Sequence, residues 1–181
     1  MIKLKPETIT ALRDRLRDRG APASVARPDI NIADAESTLL LEEYGPLCEV
    51  MFLMMGADGS VEQSERDVIR GALRELDDRI RTAHFGAMLR SAESALAEHG
   101  QIARVQAIAG ALRDDPIRGE VAFVLAAAVA FADDRIAPDE NALLNDLADA
   151  LGIDEARSED LMRLLLRLRR APSTQMAQLV L

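Results

Sequence analysis

Tryptophan is absent from this 181-residue chain, tyrosine and cysteine occur once each, and aromatic residues make up only 3%. One cysteine, Cys48, excludes an intramolecular disulfide and fits a reducing cytoplasm. Lysine is nearly missing as well. Lys3 and Lys5 are the only two, so neither a phosphate-binding Gly-Lys-Ser/Thr loop nor a Schiff-base lysine can occur farther along. The longest apolar run, Val121 to Ala132, has twelve residues, and a membrane helix needs about 20. It therefore reads as a buried core helix. MIKLKPETIT has no long apolar stretch of the kind a signal peptide carries.

Apolar residues reach 49%, led by alanine and leucine with few β-branched positions, which indicates an all-α protein with a substantial core. The formal charge of −9 argues against nucleic acid as a partner, because phosphate backbones need a basic face. Residues 6–19 begin with proline and place Ile9, Leu12 and Leu16 at helical spacing, predicting a short amphipathic helix with its charged residues solvated and paired within the helix. Two prolines between Gly20 and Ile32 mark an arm. Three segments follow from this reading: residues 1–34 as helix and arm, 35–171 as the helical domain, and 172–181 as an apolar tail able to dock on the core or on a second copy. Turn signals at Gly45-Pro46, Asp58-Gly59, Asp77-Asp78, His99-Gly100, Asp115-Pro116, Asp133-Asp134 and Gly152 divide the chain into seven to nine helices.

An internal repeat has an offset of 75 residues. ADGSVEQSE at 57–65 aligns with ADDRIAPDE at 132–140, pairing Asp58 with Asp133, Val61 with Ile136 and Glu65 with Glu140. Each motif follows an apolar segment and precedes an amphipathic helix, which predicts two pseudo-symmetric helical hairpins with the apolar helices at the centre.

Two readings compete for these joints. In the first, they are punctuation: glycine ends one helix, Val61 or Ile136 plugs the core, and Glu65 or Glu140 caps the next helix at its third position. In the second, they bind a cation. Asp58 and Asp133 then sit at helix C-termini, where negative charge is disfavoured by about 0.3–1 kcal/mol. Glu62, Asp134 and Asp139 add further oxygen donors, so the joints suit a hard divalent cation, Ca²⁺ or Mg²⁺. The spacing matches only the second half of an EF-hand loop. Met54 and Gly56, then Val129 and Phe131, stand where its first ligands would be, which excludes an ordinary calcium loop.

Paired modules of this form, in VMFLMMGADGSVEQSERDVIRGALREL and VAFVLAAAVAFADDRIAPDENALLNDLADALGI, resemble the TerB-like tellurite-resistance family over residues 44–153. The resemblance implies an all-α bundle and a metal-binding or protein-interaction module, with Asp58, Glu65, Asp133 and Glu140 at the family's acidic positions. Asp134 departs from the pattern, which has glycine there.

Other residues point to packing. Cys48 reads as a buried inert thiol, Met51, Met54 and Met55 as core fillers, and His84 and His99 as capping or solvated. LMRLLLRLRR at 161–170 is an amphipathic helix expected to pack with its arginines outward. No nucleophile and base pair is evident, so the expectation is a non-enzymatic cytoplasmic module with no organic cofactor. It would hold a divalent cation at its acidic joints, or dock a basic protein partner or a second copy without metal.

Overall fold

The computed structural model describes residues 5–18, 32–57, 61, 63–131 and 137–170. Among them, every regular element is an α-helix: α1 (Pro6–Asp18), α2 (Ile32–Met55), α3 (Gln63–Leu76), α4 (Thr82–Leu112), α5 (Pro116–Ala130), α6 (Pro138–Leu151) and α7 (Glu155–Arg170). The expected all-α bundle of seven to nine helices is what forms. The joints 58–60 and 132–136, the arm at 19–31 and the tail from 171 lie outside the described residues.

Two apolar helices make the centre. Every residue of α5 from Val121 to Ala130 is buried, and the second half of α2 buries Leu47, Cys48 and Val50 through Met55. Hydrophobic burial around the whole circumference requires neighbours on all sides, and α2 packs on both α4 and α5. Each fully buried Val, Leu, Phe or Met contributes about 1.5–3 kcal/mol. An exposed ion pair such as Arg163 with Glu159 contributes about 0–1 kcal/mol. The apolar centre therefore dominates stability, and the surface charges do not.

The outer helices are amphipathic. α3 and α6 are both 14-residue helices, and their boundaries differ by 75 residues. Ile69, Ala72 and Leu73 are buried in α3, and Leu144, Leu147 and Ala148 at the same three steps in α6. α1 covers α3, while α4 and α5 flank α6. Ile9, Leu12 and Leu16 bring α1 into the same core cluster. α7 lies on α1 and α5 through Leu161 and Leu165, with Arg163 and Arg167 exposed.

Local chemistry sets several helix ends. Asp115 accepts a hydrogen bond from the Arg118 N–H and precedes Pro116, a helix start suited to proline. Gly152 ends α6 in the left-handed conformation, φ 70°, and the Ile153 N–H returns to the Ala148 carbonyl at 2.9 Å. Asp154 then caps α7 by accepting from the Arg157 N–H at 2.8 Å. The expected break at His99-Gly100 is a kink inside α4, where Gly100 has φ 75° and ψ 167°.

Two expectations need correction. Gly45-Pro46 does not end a helix, because α2 runs through it. Pro46 has no N–H to offer the Glu42 carbonyl four residues earlier, and Arg118 from α5 donates to that carbonyl instead, Nη2 to oxygen 2.7 Å. The charged run of α1 is not wholly a solvated face either. Arg15 leaves its own helix and pairs with Glu120 of α5.

Candidate functional site

The expected cation ligands fall into two groups. Asp58, Glu62, Asp133 and Asp134 lie outside the described residues. Glu65, Asp139 and Glu140 are described and stand in the first turns of α3 and α6. Glu65 is partly buried and has a partner of its own; Asp139 is exposed. Glu140 accepts a hydrogen bond from the Ala137 N–H, 2.8 Å to Oε2. This is the helix-capping role, in which a third-position carboxylate satisfies a free backbone donor beside the positive helix end. Among the described residues, no group of three or more His, Cys, Asp or Glu side chains is arranged to hold a metal ion.

The described polar groups instead join helices. Glu49 is the one charge in the apolar LCEVMFLMM stretch of α2. Arg104 of α4 grips it with both arms of the guanidinium, Nε to Oε1 at 2.5 Å and Nη2 to Oε2 at 3.0 Å. This fork geometry gives strong, charge-assisted bonds, and the contact raises the Arg104 pKa against the opposing effect of burial. The pair borders a cavity of about 270 Å³ between α2 and both arms of α4, whose lining also includes Gly45, Pro46 and Met88.

Glu120 ties three helices together. Arg157 of α7 donates to both of its oxygens, at 2.6 and 2.7 Å, and Arg15 of α1 donates to Oε2 as well. The Arg157 bonds, assisted by Arg15 and opposed by burial, hold the Glu120 carboxyl below the usual carboxylate range. A third centre sits in the α3–α4 turn. Burial would raise the pKa of Asp77, but the Arg79 side chain and N–H, together with the Tyr44 hydroxyl, keep it low. Tyr44 donates to Asp77 Oδ2 at 3.0 Å, and the Arg79 N–H donates to Oδ1 at 3.0 Å, bracing the turn against α2.

The residues set aside from chemistry are accounted for by packing. Cys48 is fully buried, and burial, aided by the neighbouring Glu49 charge, pushes its thiol up to about 12, so little thiolate forms at neutral pH. Met51, Met54 and Met55 are core. His84 accepts from the Arg81 N–H through Nδ1 at 3.2 Å and lies 3.3 Å from Ser37 Oγ through Nε2, joining the start of α4 to α2. His99 is exposed next to Glu98.

Glu49 was open to discovery from the sequence as a lone charge in an apolar helix. Arg104 is likewise the lone charge between Gly100 and Leu112, whereas Glu120, Arg157 and Arg118 carried no such signal, since each sits among other charged residues and acquires its partner from a distant helix.

Residues 47–163 match the family model described as Tellurite resistance protein TerB. The match runs from α2 into α7, ten residues beyond the limit at 153 set by the motifs. No curated protein and no solved structure matches the chain. No helix among the described residues is long and apolar enough to cross a membrane.

Proposed function

Because the chain belongs to the TerB family, we propose that it is a non-enzymatic, cytoplasmic module of stress or tellurite-resistance type that binds a divalent cation at two acidic interhelical joints. The observation that carries this reading is the matched placement of Glu65 and Glu140. Each is the third residue of a 14-residue helix, at an offset of 75, and each follows a joint containing aspartate.

The donor chemistry is compatible with Ca²⁺ or Mg²⁺ but incomplete in the described residues. Ca²⁺ takes about six to eight oxygen ligands and Mg²⁺ about six. Glu65 and Glu140 supply two carboxylates, and the remaining oxygens would come from Asp58, Asp133, Asp134, Glu62 or Asp139, backbone carbonyls and water. The Ala137 N–H engages only Oε2 of Glu140, and a carboxylate has about four acceptor positions, so capping and ligation are not exclusive. The cation would neutralise carboxylates gathered at the joints, drawing the two hairpins together.

Calorimetric titration with Ca²⁺ and Mg²⁺ tests the site. Saturable binding to the wild type, lost in Asp58→Asn/Asp133→Asn, is expected. Absence of heat for both ions, or equal affinity in the double variant, refutes it. The cap made by Glu140 favours a second reading: an interaction bundle whose acidic end docks a basic protein without metal. Salt-sensitive capture of such a partner in chelator, abolished by the same double variant, distinguishes that case.

A further inference from the structure

We propose that the groove between α1 and α3 binds a single phosphate group of a small soluble molecule through Arg13, Arg17 and Arg74. The groove has a volume of about 520 Å³ and is lined by these three arginines with Gly71, Glu75 and Asp78. In a chain of net charge −9, arginines ordinarily find carboxylates, as Arg15, Arg66, Arg79, Arg104 and Arg157 do here. These three do not. Arg17 and Arg74 are exposed and have no ion-pair partner among the described residues.

Arg13 is under-satisfied as well. Its Nε is buried with no hydrogen-bond partner. Asp14 Oδ1 lies 3.7 Å away, too far for a hydrogen bond, and Nη1 makes only a long 3.4 Å bond to the Glu75 carbonyl. Arg13 and Arg17 are also four apart on α1, where like charges repel, and Arg74 faces them from α3. An anion between the two helices would relieve that repulsion and supply acceptors for the exposed guanidinium groups of Arg17 and Arg74.

The chemistry of the lining narrows the ligand. Guanidinium forks match the paired oxygens of phosphate, and the three arginines line the groove from two helices. Gly71 presents open space where a side chain would stand, with no atom within 4 Å of an added Cβ, so a ligand can approach the backbone of α3. Glu75 and Asp78 border the same groove and oppose ligands of high negative charge, which favours one phosphate over a polyphosphate. They and the acidic chain as a whole also oppose an anionic membrane surface.

Titration of the full chain with inorganic phosphate and with glycerol phosphate, in chelator and at constant ionic strength, tests the assignment independently of the acidic joints. Saturable binding is expected, weakened about tenfold or more in Arg17→Ala/Arg74→Ala, since two charge-assisted contacts are removed. Arg74→Lys should fall between, because charge remains but the fork is lost. Arg163→Ala, on α7, should bind as the wild type does. Both groove substitutions are at exposed positions, and unchanged far-ultraviolet circular dichroism verifies folding. No saturable binding, or equal affinity in the double variant, overturns the proposal. Stronger binding to phosphatidic acid vesicles than to glycerol phosphate overturns the assignment to a soluble ligand.

Discussion

Pro46 withholds the N–H that would close the α-helical bond to the Glu42 carbonyl, and Arg118 Nη2 occupies the resulting acceptor at 2.7 Å. If that account is right, Arg118 is needed because Pro46 is there. Replacing Arg118 by methionine keeps an apolar stem and removes the donor. A hydrogen bond from a charged donor contributes about 1.5–3 kcal/mol. Two features lower the figure. Burial already pushes the Arg118 pKa down, which marks a desolvation cost, and its Nε is buried without a partner. Glu42 is exposed, so water can reach the freed carbonyl. We expect Arg118→Met to cost about 1–2 kcal/mol, which lowers the melting temperature by about 2–8 °C in a protein of this size. In a Pro46→Ala background the backbone N–H returns, and the same substitution should cost less than about 0.5 kcal/mol. The ion pair of Arg118 with Glu43, 3.7 Å, is lost in both backgrounds and cancels. Urea unfolding of the four proteins, followed by circular dichroism with unchanged m-values, gives the coupling. An equal cost in both backgrounds, within the roughly 0.3–0.5 kcal/mol of ordinary additivity, would refute the compensation.

Glu120→Gln should destabilise the protein at neutral pH by about 1–2 kcal/mol, a modest figure because Arg15 and Arg157 are 30% and 46% exposed and can rehydrate. The folded pKa of Glu120 lies below its ordinary value of 4.5. Its contribution is therefore complete above that value and disappears as pH falls through the folded pKa. Melting curves across an acidic pH series should show wild type and variant converging; a gap that persists into strong acid would contradict this. Within α4, Gly100→Ala should destabilise by about 1–3 kcal/mol, since φ 75° with ψ 167° is a conformation only glycine adopts readily. Gly110→Ala, exposed and with open space around an added Cβ, should stabilise by about 0.5–1 kcal/mol. Thermal melts giving both variants the same sign would count against that contrast.

Helix content and the buried face of each helix were legible in the residues, because both arise from short-range patterns. Leu143, Leu144 and Leu147 repeat at helical spacing, and the run from Val121 has no polar face to expose. Gly152, Asp115-Pro116 and Gly100 acted locally, through backbone conformation and capping. Pro46 was misread for the opposite reason. Its local effect is to break a helix, and what sustains α2 there is a guanidinium 72 residues away in sequence. Arg15 was misread likewise: Asp18 three residues on allowed pairing within the helix, but the packing of α1 on α5 brought Glu120 within reach.

The candidate site divides along the same line. Spacing alone placed Glu65 and Glu140 at the third residue of their helices, and α3 and α6 begin where that spacing requires. The use of Glu140 as a cap is also local, since the Ala137 N–H it satisfies lies three residues away. By itself, then, the sequence determined the all-helical class, the apolar centre and the acidic character of the joints, because each depends on residues close together in the chain. Only the tertiary structure decided which charges are neutralised and which are left over. Glu49 with Arg104, and Glu120 with Arg15 and Arg157, are joined by helix packing. The same packing sets Arg13, Arg17 and Arg74 along one groove, where the neighbouring Glu75 and Asp78 form no ion pair with them.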